Sequence, residues 1–319
     1  MVTFSQKIYE KYFPYSLKIF LRKNLFYKFR CRELKLSRKR VPLFKTVYFE
    51  IRTRCNSTCS FCAASIQNEK REDKTMPIEM YKKVILQLKK LNYSGRIAYH
   101  VNSDPLISSN LAQFVLIARN NLPKAWIQIL TNGKALTLKK AEELLKNGIN
   151  ELSINYYTDN LESPIPEIFV KIKEEILPKY FNKSQIKRGF YTNNEDIFCF
   201  NIFKRDIKAI LTTRAGTAPN KKFDSHKWYG FCEHPFSQFN ITTDGRVNKC
   251  CADLYFSDPM GNVNISNLLE IWYGEKFDHV RNLLLKNNRL GLESCKECDY
   301  PGVIKIESPL FKLFSFFMK

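Results

Sequence analysis

Acid is what this sequence has little of: 31 Asp and Glu stand against 52 Lys and Arg in 319 residues, a formal charge of +21. Near the start there is no apolar stretch of signal-peptide length and no small-residue cleavage site, so a secreted product is not expected. No window holds the ~18 consecutive apolar residues of a membrane-spanning helix. No nucleic-acid-binding module accompanies the positive charge, and nucleic acid is not expected as a partner. The ten cysteines are not spread like a disulfide framework. They are expected to be reduced, in a cytoplasmic protein, and where they cluster they point to metal or redox chemistry. The first cluster also lacks something: "CNSTCSFC", Cys55 to Cys62, offers three thiols without a fourth.

The positive charge gathers at one end. Residues 1–45 carry thirteen Lys or Arg against Glu10 and Glu33, interleaved with Phe and Tyr as in "LFYKFRCRELKLSRKR". Two readings of this extension, residues 1–43, stand side by side: a solvated arm packed on the main domain by its aromatics, or a segment resting on anionic headgroups. The tail at 304–319, ending "SPLFKLFSFFMK", is apolar and basic and could share the second role. The expected location is then cytoplasmic, with peripheral contact at the inner membrane surface.

From Thr46 the chain is long enough to bury a real core, and it alternates strand and helix patterns. "TVYFEI" precedes the cysteines, and Pro77 to Leu91 follows with Tyr81, Val84, Ile85, Leu88 and Leu91 at helical spacing. "RIAYHV" is the next strand, then a helix with Leu111, Phe114, Val115 and Ala118 on one face, then "AWIQIL". Thr137 caps a helix of Leu138, Ala141, Leu144 and Leu145 that stops at Gly148, ahead of "ELSINY". A helix is expected at Pro166 to Leu177 and a strand-like segment at "IKAIL". Repeated βα units imply a parallel sheet, open or curled into a barrel, with its ligand site at the carboxyl ends of the strands. The cysteine run falls at that end of the first strand.

Thiolates hold iron-sulfur clusters in sets of four, and structural zinc also wants four closed ligands. Three on one loop leave one iron open for a substrate or cofactor. The competing reading is zinc completed by a distant residue such as His100, although zinc pairs are usually spaced C-x2-C. Phe61 adds an apolar face on which a purine could stack, or simply a core residue.

The C-x3-C-x-aromatic-C run of Cys55, Cys59, Phe61 and Cys62 resembles the signature of radical SAM enzymes. The resemblance implies a [4Fe-4S] cluster whose open iron chelates S-adenosylmethionine, cleaved after one-electron reduction to a 5′-deoxyadenosyl radical. "HVNSDPLI" stands where that family has Gly-Gly-Glu-Pro, placing Asn102, Ser103 and Asp104 beside the methionine amine, and the substitution is a departure. "LTNGKAL" is similar to the family's third-strand Thr-Asn-Gly, and Ser153 and Asn155 stand where polar groups approach the ribose.

A second group, Cys232, Cys250, Cys295 and Cys298, is spaced C-x17-C-x44-C-x2-C. The Thr243-Asp244-Gly245 turn reads as a hairpin presenting Cys250. Four thiolates so spaced make a closed metal site, and a zinc ribbon is the alternative. The run from "CEHPFSQFNITTDGRVNKCC" to "CKEC" resembles the shortened SPASM, or twitch, domain with one auxiliary [4Fe-4S] cluster. No cysteine follows Cys298, so two clusters are the ceiling. Cys251 is then a spare packed thiol, Cys31 and Cys199 have no cluster partners, and His234 reads as a surface residue rather than a ligand.

The expected fold is therefore α/β: a partial (β/α)6 barrel over residues 44–220 and a small β-hairpin and α twitch domain over 221–303. The four-cysteine arrangement most resembles the 2-deoxy-scyllo-inosamine dehydrogenase type, which implies oxidation of a carbinol of a sugar or cyclitol with the auxiliary cluster as electron acceptor. Arg214 corresponds to an arginine on the substrate hydroxyl, and Asp253 is a second candidate. An anionic or lipid-linked sugar as substrate and a flavodoxin or ferredoxin as electron donor complete this expectation. A peptide- or protein-modifying maturase is the alternative, against which stands the lack of a leader-binding segment before Thr46. A non-enzymatic metal-binding protein is the third.

Overall fold

The computed structural model describes residues 41–181, 190–192, 197–222, 231–256 and 258–300. Residues 1–40, with Cys31, and the tail at 304–319 lie outside them. One nine-stranded sheet organises the described chain. Its first strands and helices run β1 (Thr46–Phe49), α1 (Ile78–Lys90), β2 (Arg96–Ala98), α2 (Leu111–Asn121), β3 (Trp126–Thr131), α3 (Leu138–Lys146) and β4 (Glu151–Thr158). There follow α4 (Glu167–Lys171), β5 (Phe190–Thr192), β6 (Ile197–Asp206), β7 (Gln238–Ile241), β8 (Arg246–Asn248) and β9 (Gly261–Asn262). Three short helices close the described chain: α5 (Leu268–Trp272), α6 (Glu275–Leu285) and α7 (Glu293–Lys296).

Strand order is β5-β6-β4-β3-β2-β1-β7-β8-β9. Strands β6, β4, β3, β2, β1 and β7 are mutually parallel, whereas β5, β8 and β9 pair antiparallel. The sixth parallel strand thus comes from residues 238–241 and docks on β1, so the second cysteine region continues the sheet of the first. The hairpin expected at Thr243 to Gly245 joins β7 to β8, and Gly245 takes φ +84°, the left-handed conformation such a turn asks of glycine.

The sheet is two-faced with period two. Val47 and Phe49, Ile97 and Tyr99, Ile127 and Ile129, Leu152 and Ile154, and Phe198 and Phe200 join one apolar core under the helices. Tyr81 of α1 fits that layer because its hydroxyl lies 2.8 Å from that of Tyr99 and donates to the Phe114 carbonyl at 2.9 Å. The opposite, concave face is polar. Arg96 donates to Gln128, which donates to Glu151, and Trp126, Ser153 and Asn201 extend the same network. Such a lumen is polar enough to take a hydroxylated ligand, and hydrogen bonds inside it are strengthened by the low dielectric.

Helix patterns convert as expected: Thr137 accepts from the Lys140 amide at 3.2 Å at the start of α3. Two expectations need correction. "IKAIL" is not a strand; the strand is Ile197–Asp206 and ends just before it. His234 is buried rather than superficial, its ring stacked 4.8 Å from Tyr300. The helical stretch at Pro166 changes character along its length, α for Glu167–Lys171 and π for Ile172–Ile176, with a 3-10 turn at Leu177–Lys179 where Pro178 cannot donate. No helix among the described residues is long and apolar enough to cross a membrane.

Candidate active site

The loop after β1 carries the first three thiols and is pinned at both sides. Arg71 pairs with the buried Glu50 at 2.8 Å and with Glu69 at 2.8 Å, and Arg52 pairs with Asp73. Burial pushes the Glu50 carboxyl above its ordinary range against the pull of Arg71. Thr53 binds the Glu72 carbonyl and the Lys74 amide, returning the loop to its origin. Within it Cys59 is buried, while Cys55 and Cys62 are half-buried.

Each thiol has a polar side chain beside it. The Ser57 hydroxyl lies 3.3 Å from Cys59 Sγ, Asn132 Nδ2 lies 3.7 Å from Cys55 Sγ, and Arg214 Nη1 lies 3.4 Å from Cys62 Sγ. Burial, reinforced by the Asp104 charge, pushes the Cys55 thiol up to about 11, and burial also raises Cys59. Cations such as iron would reverse that preference. Ser103 Oγ is buried without a hydrogen-bond partner among the described residues, and Asn102 Nδ2 has none within bonding geometry, although the Asn102 amide is close enough to Glu50 to lower that carboxyl. Such an orphan fits a polar ligand at this point.

The other residues singled out in this region have protein partners. Asp104 caps the turn at Pro105–Ile107 and accepts from the Leu106 amide, the Asn132 amide and the Thr131 hydroxyl. Its carboxylate locks the end of β2 to the end of β3. Ser153 donates to Glu151, and Asn155 accepts from Arg205 Nε at 2.8 Å, both on the concave face. Phe61 packs 5.3 Å from the Tyr157 ring. His100 lies against Tyr48, in no group of three potential metal ligands among the described residues, with burial lowering its pKa to about 3.

Cys232, Cys250, Cys295 and Cys298 line one cavity, with Ala215, His234, Lys249 and Arg289. Burial pushes Cys232 up to about 12 and raises Cys250 and Cys295, each further raised by neighbouring thiols of the set. Among the described residues no three His, Cys, Asp or Glu are gathered tightly enough to grip a single ion. Four thiols around a shared space are a usual ligand set for an iron-sulfur cluster and also for structural zinc. Cys251 points elsewhere, into a cleft of about 420 Å³ lined also by Tyr48, Arg96, Arg214, His234 and Tyr300. Cys199 is buried and accepts from Asn201. Asp253 is buried 4.0 Å from Lys249.

Arg214 connects the two groups. It reaches Cys62 Sγ, Asn102 Oδ1 at 3.4 Å and the Cys251 carbonyl at 3.3 Å. Its segment turns through three successive left-handed residues, Arg214 at φ +47°, Ala215 at +56° and Gly216 at +81°. Two of these are not glycine, a strained arrangement that the surroundings must hold. The hold is Thr213, fully buried, whose amide donates to Asp299 at 2.6 Å and whose hydroxyl donates to the Glu297 carbonyl at 2.6 Å. Asp299 is also paired with Lys221. Sequence reading missed Thr213, Asp299, Lys249 and Arg289; the adjacency of Lys249 to Cys250 was the one available signal.

Residues 49–183 match the model of the radical SAM superfamily, and residues 232–299 match the iron-sulfur cluster-binding SPASM domain. Residues 49–183 thus form a radical SAM domain. This radical SAM enzyme carries a SPASM-type second domain, and its two matched regions imply binding of iron-sulfur and of S-adenosylmethionine. It is 26% identical to the S-adenosyl-L-methionine-dependent 2-deoxy-scyllo-inosamine dehydrogenase of Niallia circulans over 261 residues, 82% of this chain and 95% of that protein. The crystal structure of BtrN in complex with AdoMet and 2-DOIA matches with TM-score 0.67 at 24% identity, covering 84% of this chain and 98% of that one. BtrN in an open conformation matches at 0.56 and 24% identity, over 81% and 94%. The last two comparisons speak for the fold.

Proposed function

We propose that this radical SAM enzyme oxidises a carbinol of a sugar or cyclitol, holding two [4Fe-4S] clusters, one that binds S-adenosylmethionine and one that takes up an electron. The observation that supports it most is the strained segment at Arg214, which touches Cys62 on one side and, through Ala215, lines the second cysteine cavity on the other. The likeness to a dehydrogenase whose name gives an aminocyclitol substrate supports the substrate class.

In this reading Cys55, Cys59 and Cys62 hold the first cluster, and Asn102 and Ser103 offer their buried polar atoms to the cofactor's methionine end. Phe61 and Tyr157 give apolar surface to its adenine, and Ser153 and Asn155 polar groups to its ribose. Asp104 serves indirectly, by fixing the loop that carries Asn102. Bound and reduced by one electron, S-adenosylmethionine supplies a 5′-deoxyadenosyl radical that can take a hydrogen atom from carbon. Arg214 donates hydrogen bonds to the substrate hydroxyl oxygen. A guanidinium does not give up its proton in proteins, so it stabilises alkoxide character while the hydroxyl proton leaves to solvent. Loss of that proton and of one electron from the substrate radical forms the carbonyl, and a cluster held by Cys232, Cys250, Cys295 and Cys298 would be the acceptor of that electron. Asp253, buried beside Lys249, is the second candidate for binding the substrate's hydroxyl or amine.

An external one-electron donor of flavodoxin or ferredoxin type, a cytoplasmic location and an anionic or lipid-linked sugar belong to the same proposal; the basic composition supports the last. Contact of the two arms with an anionic membrane surface rests on composition alone.

The test is anaerobic reconstitution, iron and sulfide analysis, and paramagnetic resonance with and without S-adenosylmethionine. About eight irons and a reduced-cluster signal that shifts with the cofactor are expected. Incubation with sugar and cyclitol alcohols should then give 5′-deoxyadenosine and a carbonyl product in equal amounts. Zinc in the second site, or turnover of peptides alone, would sink the dehydrogenase reading.

A further inference from the structure

We propose that Lys249 is the counter-charge of the second thiol set, a positioning residue that raises the reduction potential of the cluster held by Cys232, Cys250, Cys295 and Cys298. The inference rests on the two-cluster reading above. Lys249 is 1% exposed, and its Nζ has no hydrogen-bond partner among the described residues. The nearest carboxylates stand at the edge of ion-pair range, Asp258 at 3.6 Å and Asp253 at 4.0 Å, and Asp258 is half-exposed. A buried ammonium without hydrogen bonds costs several kcal/mol, so this one calls for an acceptor.

The acceptor faces it. Lys249 lines the cavity with all four cysteines, and its charge acts on Cys295. A cluster bound by four thiolates is anionic, and gains one more negative charge on reduction. A fixed positive charge beside it, out of water, therefore favours the reduced form, and an N–H donor to sulfur works in the same direction. The other buried cation here is committed differently: Arg289 donates to the carbonyls of Phe231, Cys298 and Tyr300. Arg289 also lines the cavity and its charge acts on Cys232 and Cys295, but its guanidinium is fixed by those carbonyls, whereas the Lys249 ammonium has no hydrogen-bond partner among the described residues. The consequence is functional, because the electron released by the substrate passes on only if the second cluster is the easier to reduce.

The balance gives the test two opposite signs. In full-length protein with Cys55, Cys59 and Cys62 replaced by Ala, the second cluster is titrated alone with dithionite and mediators, its signal followed by paramagnetic resonance. Lys249→Met should shift the one-electron equilibrium toward the oxidised form by at least tenfold, 59 mV for a one-electron couple. Asp258→Asn removes a partly compensating negative charge and should shift it the other way by twofold or more. A loaded Lys249→Met cluster with an unmoved potential overturns the proposal. If Lys249→Met cannot hold iron, Asp258→Asn decides: an upward shift supports the proposal, and none overturns it. Failure of the otherwise unsubstituted second site to take up any cluster would instead defeat the two-cluster reading, and this inference with it.

Discussion

The two cysteine regions hold the same ligand atom in opposite ways. On the loop after β1, three thiols are spread over half-buried and buried positions, each beside a polar neighbour, and Asn102 and Ser103 bring buried polar atoms. In the second region four thiols surround one cavity, lined also by Ser294 and by the buried ammonium of Lys249. The number of thiols decides whether an iron keeps an open position, and the groups around them decide what can fill it. A three-thiol site facing a polar lumen invites a polar ligand. In the proposed reading, a four-thiol site beside a cation leaves no iron open and serves to exchange electrons. The two are linked by one strained turn, and that link gives the comparison its experimental handles.

The largest effect should come from removing the open site. Replacing Cys55, Cys59 and Cys62 together is expected to abolish S-adenosylmethionine cleavage while leaving about four irons per chain, as a four-thiol cluster requires. Retained cleavage would erase the distinction between the two regions. The link itself is tested by Arg214→Ala. Loss of one hydrogen-bond donor at developing negative charge costs about 10²–10³ in kcat. Carbonyl formation should fall by that factor while iron content and uncoupled cleavage of the cofactor persist. A change in KM alone would make Arg214 a binding group without a part in the oxidation.

Much of this was legible in the residues, and what was not has physical causes. The βα order, the Thr137 cap, the hairpin at Gly245 and both thiol sets are local patterns, readable because period and spacing sit within a few residues. The docking of β7 on β1 is not local: a strand of four residues, "QFNI", carries no mark of its distant partner. β6 escaped notice because "IFCFNIFKRD" becomes polar toward its end, while the apolar "IKAIL" beyond it looked more strand-like. Asp104 was read as facing the cofactor because of its place in a motif, yet its oxygens serve Thr131, Asn132 and Leu106. His234 looked superficial because a lone histidine carries no periodicity. Lys249 could have been suspected, since a lysine preceding paired cysteines has a polar head at a metal site, but only the structure shows that it is buried with no hydrogen-bond partner among the described residues.

The smallest predicted effect probes the turn that joins the regions. Gly216 sits at φ +81°, and a Cβ there would meet the Glu297 carboxylate at 2.5 Å and its Cβ at 3.2 Å. Glu297 lies between Cys295 and Cys298, and its carbonyl receives the Thr213 hydroxyl. Gly216→Ala therefore adds left-handed strain of about 1–2 kcal/mol and pushes on the segment between two cluster thiols. The carboxylate is the far end of a flexible side chain and can swing away, so the fold should survive with a small drop in melting temperature. The turn would then relax away from the second cavity, taking Arg214 with it. The expected signature is slower carbonyl formation at unchanged cofactor cleavage. Unchanged coupling between the two, with the same drop in melting temperature, would show that the turn only supports the fold and that the two cysteine regions work without its geometry.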